Sequence, residues 1–528
     1  MRVLIFHGYL LSGTGSNVYN ASLARAMRRL GHEVHLLCQD REAQELDFVD
    51  AAGDWDEGTL RIREVPGTLQ NAHGSSAAAS AAVGTDGGSV TVYTPDTGGL
   101  LPVFVRDRYA GFEVRTYAEL TDSELEKYIE RNVQAVRDVV ERSGEPDAAL
   151  ANHLVTAPLI LERAGVRFAV KVHGSDLSYT VLPELDRFGP MARDGARAAA
   201  GILVGSDHIA ERLREAVDEP EVNQKVALGP PGVDTDLFEA IARDDGPGRL
   251  RELAEDLEAA DADAGADSSW ERDPLEAAEA VRWLANTDGP RVVFVGKLIV
   301  SKGVDLLVAA WPLVHSRHPD ARLILAGFGA YREGIESLIA ALGEGDIKGA
   351  RGIAHRGRAL EGGPTKPLDY LSSFLADPPA SYAEAAREAA GSITLAGRLE
   401  HHEVGLLVPA CDALVFPSTH PEAFGMVAAE AAAAGVLPVS AAHSGALEVS
   451  KSLMTGLPDE AAGLVSFSLG DGAIEAIAAR LNVWIELDPA KRRASRVSLR
   501  ETAKRLWGWE GVANEVIAAS RGDAPPAA

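Results

Sequence analysis

Largely apolar runs of three to five residues recur along the chain, each closed by a glycine or polar turn and followed by a stretch with helical spacing. Val3 to Phe6, Phe168 to Val172, Ile202 to Val204, Val292 to Val295, Leu323 to Ala326, Ala413 to Phe416 and Val436 to Val439 have this form. Continuous apolar runs bounded by turn signals suit strands buried on both faces, and such strands belong to parallel sheets covered by helices. Helices are predicted over 20–30, ended by Gly31, over 122–143, and over 208–217, where Ser206 and Asp207 supply the cap. The regular exchange of strand and helix predicts an α/β chain with doubly wound parallel sheets.

The opening block runs from Val3 through the loop Leu11 to Ser16 and a helix into the strand of GHEVHLLC, a βαβ unit with nucleotide-binding character. It is not the dinucleotide fingerprint: after Gly13 and Gly15, Val18 stands at the third glycine position, and no acid is cleanly placed at the end of the next strand. A dehydrogenase is therefore the weakest reading. A second α/β unit opens at Val292. Between and within these units the pattern lapses. Residues 71–90 are small, polar and aperiodic, and predict a surface loop. Residues 239–290 are dense in Asp, Glu and Ala with little apolar periodicity, and predict an acidic linker with a solvated helical insertion. Residues 331–392 hold more chain than one helix and turn need, and predict an insertion. The expected domains are 1–238 and 291–507, each Rossmann-like.

Composition narrows the function. With 528 residues the chain is long enough for several domains. Its 51 Lys and Arg against 78 Asp and Glu give a net charge of −27, which argues against a nucleic-acid partner. Cys38 and Cys411 lie far apart in apolar runs, so neither a disulfide framework nor a thiolate metal site is indicated, and a reducing compartment fits. The apolar run before His7 is too short for a signal-peptide core, and no stretch approaches a membrane span. A soluble, cytoplasmic protein is expected. Membrane association is possible but not indicated: the acidic balance disfavours anionic lipid, with Arg25, Arg28 and Arg29 on one early helix as a local exception.

Candidate chemistry gathers in residues 417–435, PSTHPEAFGMVAAEAAAAG, where a strand gives way to a polar loop and an Ala-rich helix. Glu422 in the loop and Glu430 in the helix bracket Phe424-Gly425-Met426, whose N–H groups at a helix start suit an anion such as phosphate. Ionised carboxylates only accept hydrogen bonds, so two of them beside a phosphate site suit the hydroxyls of a sugar or ribose. Taken alone, the pair is more simply the acidic decoration of a helix N-terminus. Lys297 and Lys302, in VGKLIVSKG, stand at the carboxyl edge of the strand that opens the second unit, aimed at an anion. His173, in KVHGSD, ends another strand where α/β sheets bind ligands, although a structural histidine fits equally. Asp234-Thr-Asp236 has the spacing of a cation-holding Asp-x-Asp, but a turn is the simpler reading, and no metal site is expected.

Together GTGSNVYNASLARAMRRLGHEV, KVHGSD, GPPGVDTDLF, VGKLIVSKGVDLL, ILAGFG, AGRLEHHEV and PSTHPEAFGMVAAEAAAAG resemble, in this order, the retaining glycosyltransferases of family 4, of the group 1, glycogen synthase-like type. The resemblance leaves out 239–290 and much of 331–392. It implies the GT-B fold: two Rossmann-like domains facing across a cleft, with a C-terminal helix near 508–522 crossing back to the first. It implies that a nucleotide-sugar donor rests mainly on the second domain, its diphosphate neutralised by Lys302 and by Lys297, which stands where family members often carry Arg. Glu430 would take the ribose hydroxyls and Glu422 those of the donor sugar, while Phe424, Gly425, Met426 and Val427 present backbone to sugar and phosphates. His173 would approach the donor sugar from the first domain, and Gly13, Gly15 and Ser16 would line the cleft opposite. The implied reaction moves a hexose, with retention, from a nucleotide diphosphate to a hydroxyl of a sugar, glycan or lipid-linked acceptor, using neither metal nor other cofactor. A nucleotide-sugar epimerase of the same fold and a silent nucleotide-sugar-binding protein are the alternatives. Donor base, sugar, acceptor and oligomeric state are not specified.

Overall fold

The computed structural model describes residues 1–11, 15–65, 87–104, 111–263 and 272–523. The chain divides into two compact units, Met1–Gly232 together with the chain from Trp509 onward, and Val233–Gly508.

The first unit is built on β1 (Arg2–Phe6), β2 (Glu33–Leu37), β3 (Ala51–Asp56), β4 (Thr59–Glu64), β5 (Ser89–Tyr93), β8 (Ala148–Asn152), β9 (Ala169–Val172), β10 (Gly201–Val204) and β11 (Val226–Leu228), while β6 (Leu100–Val103) and β7 (Glu113–Thr116) form a separate pair. The large sheet has the order β11-β10-β9-β8-β1-β2-β5-β3-β4. Its pairings are parallel except for the β3–β4 hairpin at one edge. The side chains of β4 are mostly exposed, Arg61 and Arg63 among them, which blunts that edge against further pairing. From β1 the chain winds outward to β2, returns through β8 on the other side of β1, and so creates a switch point between β1 and β8. Helix Gly15–Arg29 covers one face, and helix Trp509–Arg521 joins the same core through Val512, Ala513, Val516 and Ile517. Most of the 71–90 loop lies outside the described residues, but its end is strand: Val90 and Val92 of β5 are buried, an alternation hidden at the end of a long small-residue tract.

The second unit repeats the plan with β12 (Arg291–Val295), β13 (Arg322–Ala326), β14 (Ile393–Gly397), β15 (Ala413–Phe416), β16 (Leu437–Ala441) and β17 (Ser466–Phe467), all parallel, in the order β14-β13-β12-β15-β16-β17. Its switch point lies between β12 and β15, where Val292 and Val293 pair with Ala413 and Leu414. In open α/β sheets the crevice outside such a point, at the carboxyl ends of the strands, is the ligand-binding position.

One expectation from the sequence changes here. Residues 239–290 are not a solvated linker: helices Gly246–Asp263 and Pro274–Ala285 pack on each other and bury Leu250, Leu253, Leu257, Val281 and Leu284 in the core of the second unit. The positions 250, 253, 254 and 257 have helical i, i+3, i+4, i+7 spacing, a narrow stripe that the surrounding Asp and Glu conceal. The stretch 331–392 adds helices Arg332–Gly343, Ile347–Arg356, Asp369–Ala376 and Tyr382–Ala389 between β13 and β14, anchored by Leu338, Phe374 and Tyr382, whose hydroxyl donates to Ala309 O at 2.7 Å. Cys38 and Cys411 are buried free thiols. Among the described residues no helix is long and apolar enough to cross a membrane.

Because Leu253 is fully buried in that stripe, Leu253→Ala should destabilise the chain by roughly 2 to 5 kcal/mol, whereas Asp256→Ala on the exposed face of the same helix should change stability by under about 0.5 kcal/mol. Urea unfolding followed by tryptophan fluorescence measures both, and equal effects would return the helix to the status of a linker.

Candidate functional site

At the second switch point two loops leave adjacent strands and meet. The loop after β12 makes a single 3-10 turn, Val300–Lys302, followed by Gly303 at φ +65°. A Cβ on Gly303 would stand 2.0 Å from Pro417 O, so only glycine lets this turn lie against the loop after β15. Ser301 O accepts from Thr419 N at 2.9 Å. Lys302 Nζ donates to Glu422 Oε1 at 2.6 Å, and the same oxygen accepts from Ser418 Oγ. Lysine and glutamate are each partly exposed, at 25% and 19%, so the pair borders solvent. The next loop supports Glu422 from behind. Its backbone N–H donates to Ser444 Oγ at 2.8 Å, and the His443 ring joins Ser444 Oγ at 3.1 Å and Ser418 O at 2.7 Å. The carbonyl must accept, so Nε2 of His443 carries the proton and Nδ1 accepts from Ser444, which leaves that hydroxyl oxygen for the Glu422 amide.

Lys297 lies on the same loop, exposed, and makes no ion pair with a described residue. Gly425, at φ +116°, turns the chain into helix Met426–Ala433, whose alanines are buried on every side. That burial explains the Ala-rich composition: the helix has no solvent face to decorate. Phe424 is buried edge-on against Trp507, with centroids 5.7 Å apart, while Met426 and Val427 are half-buried. Glu430 is only 7% exposed and meets His401 Nε2 at 3.0 Å through Oε1. Burial lowers the pKa of His401, but the hydrogen bond to Glu430, with the charges of Glu430 and Asp234, outweighs it and raises the pKa above the ordinary value. Asp234 Oδ1 accepts from the N–H groups of Asp236 and Leu237 at 3.1 and 2.9 Å, so Asp234-Thr-Asp236 is a side-chain-closed turn.

In the first unit the switch point carries neutral groups. His173 follows β9, and its Nε2 donates to Asn152 Oδ1 at 2.6 Å, at the end of β8. Asn152 Nδ2 donates in turn to His7 Nδ1 at 2.8 Å, at the end of β1, and Asn20 Nδ2 donates there too at 3.2 Å. His7 therefore carries its proton on Nε2, which meets Leu10 O at 2.8 Å and Asn17 Oδ1 at 3.1 Å. Burial, with His153 nearby, pushes the His7 pKa down to about 3 and holds that of His173 well below the usual range. This chain fixes His173 as the neutral Nε2–H tautomer, with Nδ1 as an acceptor. The loop beyond it is pinned by fully buried Asp176, which accepts from the N–H groups of Leu154, Gly174 and Leu177 at 2.9, 3.0 and 3.0 Å. Gly15 and Ser16 form the first turn of helix Gly15–Arg29, where Ser16 O accepts from Asn20 Nδ2 at 2.8 Å; Gly13 lies outside the described residues. Arg25 and Arg28 of this helix pair with Asp47 and Asp50, so the early basic cluster is largely compensated.

The structure thus gathers Lys302, Glu422, Phe424, Gly425 and Met426, with Lys297 and Glu430 on the flanks, and sets His173 with Gly15 and Ser16 in the other unit. Sequence reasoning passed over His401, Ser418, His443, Ser444, His7, Asn152 and Asp176. Several stand inside or beside the motifs quoted above, but decisive partners, such as Glu430 for His401 and Asn152 for His7, lie far along the chain.

Comparison with known proteins follows the same division. Residues 14–232 match a glycosyl transferase 4-like domain, and residues 289–351 and 381–503 match models described as glycosyl transferases group 1. A glycogen synthase of Mycobacterium tuberculosis is 29% identical over 260 residues, 47% of this chain and 48% of its own. An uncharacterised glycosyltransferase of Methanocaldococcus jannaschii is 26% identical over 170 residues, 32% of each chain. The matches to these curated relatives therefore span half of their length or less. Among solved structures, the sucrose-phosphate synthase of Thermosynechococcus elongatus aligns with a TM-score of 0.52 at 17% identity, over 97% of this chain and 96% of that one. The catalytic domain of starch synthase IV from Arabidopsis thaliana, bound to ADP and acarbose, aligns at 0.53 and 13% identity, over 98% and 99%. Anabaena HepE with UDP and glucose aligns at 0.52 and 16%, over 98% of both. These structural likenesses establish the shared fold.

The raised pKa of His401 has a signed consequence. The stability it contributes is complete below about pH 6.5, the value of an unperturbed histidine, and is lost as pH rises through the raised value. His401→Gln should therefore lower the urea midpoint at pH 6 and converge on the parent at pH 9. A gap that widens with pH would reverse the assignment.

Proposed function

The chain belongs to the group 1 glycosyltransferases, with a 4-like first domain and the GT-B fold, and we propose that it moves a hexose from a nucleotide diphosphate to an acceptor hydroxyl, with retention and without a metal. The observation that carries this reading is the second-unit switch point, where Lys302 and Glu422 are joined and Glu430 follows in helix Met426–Ala433. Breaking the bond from the anomeric carbon to phosphate leaves negative charge on the departing diphosphate. The Lys302 ammonium held by Glu422, the exposed ammonium of Lys297 and the N–H groups at the start of helix Met426–Ala433 supply opposing charge.

In this reading Glu422 receives sugar hydroxyls, held in place by Ser418, Ser444 and Lys302, while Glu430 receives the ribose hydroxyls, held by His401. His173, neutral and with Nδ1 open as an acceptor, suits a hydroxyl of the donor sugar rather than its phosphates. Retention is assigned to attack on the face from which the diphosphate departs, with a diphosphate oxygen taking the acceptor proton, so no protein base is required. The acceptor is a sugar, glycan or lipid-linked hydroxyl. The competing epimerase reading predicts donor consumed without acceptor, which a product assay separates.

The two glutamates should fail differently. Glu430→Ala should weaken free nucleoside diphosphate and nucleotide sugar alike, by about 1.5 to 3 kcal/mol, the worth of a hydrogen bond to a charged group. Glu422→Ala should spare the free nucleotide and lower kcat, because a misaligned sugar loses the orientation that makes transfer fast. Titration calorimetry with the nucleoside diphosphate decides, and weakening by Glu422→Ala alone would overturn the roles.

Metal independence is tested directly. Turnover should persist in excess EDTA; complete loss restored by Mn²⁺ or Mg²⁺ would mean that Lys302 and Lys297 do not supply the required charge.

A further inference from the structure

The turn that carries Lys302 is held on both sides, and the second hold comes from a part of the chain that neither group 1 match covers. Residues 352–380 fall between the matched segments 289–351 and 381–503. Within them, Arg358–Glu361 forms a 3-10 turn closed by Gly362, between helices Ile347–Arg356 and Asp369–Ala376. Glu361 Oε2 accepts from Val300 N at 2.8 Å, the amide that opens the Val300–Lys302 turn. Its other oxygen, Oε1, pairs with Arg358 at 2.9 Å, and the carboxylate is only 11% exposed.

We propose that Glu361 is a positioning residue for Lys302. Its two carboxylate oxygens are engaged by Val300 N and Arg358; it fixes the amide two residues before the lysine, while Thr419 fixes the carbonyl one residue before it. With both ends of the turn held, the ammonium has one approach to Glu422 and to the negative charge forming beside it. Arg358 orients the carboxylate so that Oε2 faces the turn. An insertion peripheral to the sheet thereby sets the geometry of the reacting centre. The effect on turnover rests on the role proposed above for Lys302, whereas the hold on the turn does not.

The test pairs a readout that needs no turnover with one that does. Amide hydrogen exchange of the peptide covering 297–303 is compared in the parent, Glu361→Ala, Glu361→Gln and Arg358→Met, with melting temperatures as a control for folding. Kinetics then follow on the nucleotide sugar the parent consumes. Glu361→Ala should speed exchange at Val300 and lower kcat by up to about 10²-fold, the scale of a misplacement near 1 Å, with donor KM little changed. Glu361→Gln keeps an acceptor for the Val300 N–H and should stay close to the parent in both. Arg358→Met should fall between them, and it carries the test if Glu361→Ala does not fold. Unchanged exchange in Glu361→Ala, or a loss of kcat shared equally by Gln and Ala, overturns the inference. Exchange that follows the expected pattern in a chain that transfers no sugar would sink the functional reading and leave the hold on the turn standing.

Discussion

Lys302 and Glu422 are 120 positions apart in the chain and meet because β12 and β15 are neighbours in one parallel sheet. Everything else at that point follows from the meeting. Gly303 has no Cβ because the first loop presses on Pro417 O, Thr419 closes onto Ser301 O, and His443 with Ser444 braces the glutamate amide. Stability is a poor explanation for this construction, since a partly exposed ion pair contributes only about 0 to 1 kcal/mol. What the loops provide is fixed position. Charges that need no reorientation when a leaving group develops its own charge are worth far more to a reaction than to a fold.

The two units share a topology and use it in opposite electrostatic styles. The second unit sets ionisable groups against opposite partners, Lys302 against Glu422 and His401 against Glu430, with Lys297 left exposed beside them. The first presents a neutral relay, His7 to Asn152 to His173, across the ends of three adjacent strands. Burial accounts for the difference. His7 is 1% exposed, and an imidazolium there would lack both solvent and a counter-ion, so the ring stays neutral and transmits a tautomer instead of a charge. Asp176, equally buried, keeps its charge company with three backbone N–H groups. The loop that bears His173 is thereby fixed without a single exposed ion.

Strands were legible because a strand buried on both faces writes itself as an uninterrupted apolar run, and Val292 to Val295 or Ala413 to Phe416 need no tertiary information to be seen. The loops after those strands were legible for a related reason: glycines and lone charges stand out at the end of such runs. Helix Gly246–Asp263 was not, because one narrow stripe of Leu250, Leu253 and Leu257 buries it and charged residues and alanines surround the stripe. The partners of the site residues were illegible in principle. His401 reaches Glu430, and Glu361 reaches Val300, through strand order and insertion packing, neither of which leaves a local trace.

The net charge of −27 and the anionic donor proposed for the chain are compatible for a reason of scale. At physiological salt the field of distant carboxylates is screened beyond about 8 Å, so the ligand responds to the charges within its own contact shell. For a donor bound at the second switch point as proposed, that shell would contain Lys302, Lys297 and the N–H groups at the head of helix Met426–Ala433, with the Glu422 carboxylate paired to Lys302 and capped by Ser418. Elsewhere the chain cancels its cations: Arg25 and Arg28 are spent on Asp47 and Asp50. Lys297, exposed and without an ion-pair partner among the described residues, is the contrast, a cation left uncompensated where a diphosphate would need one.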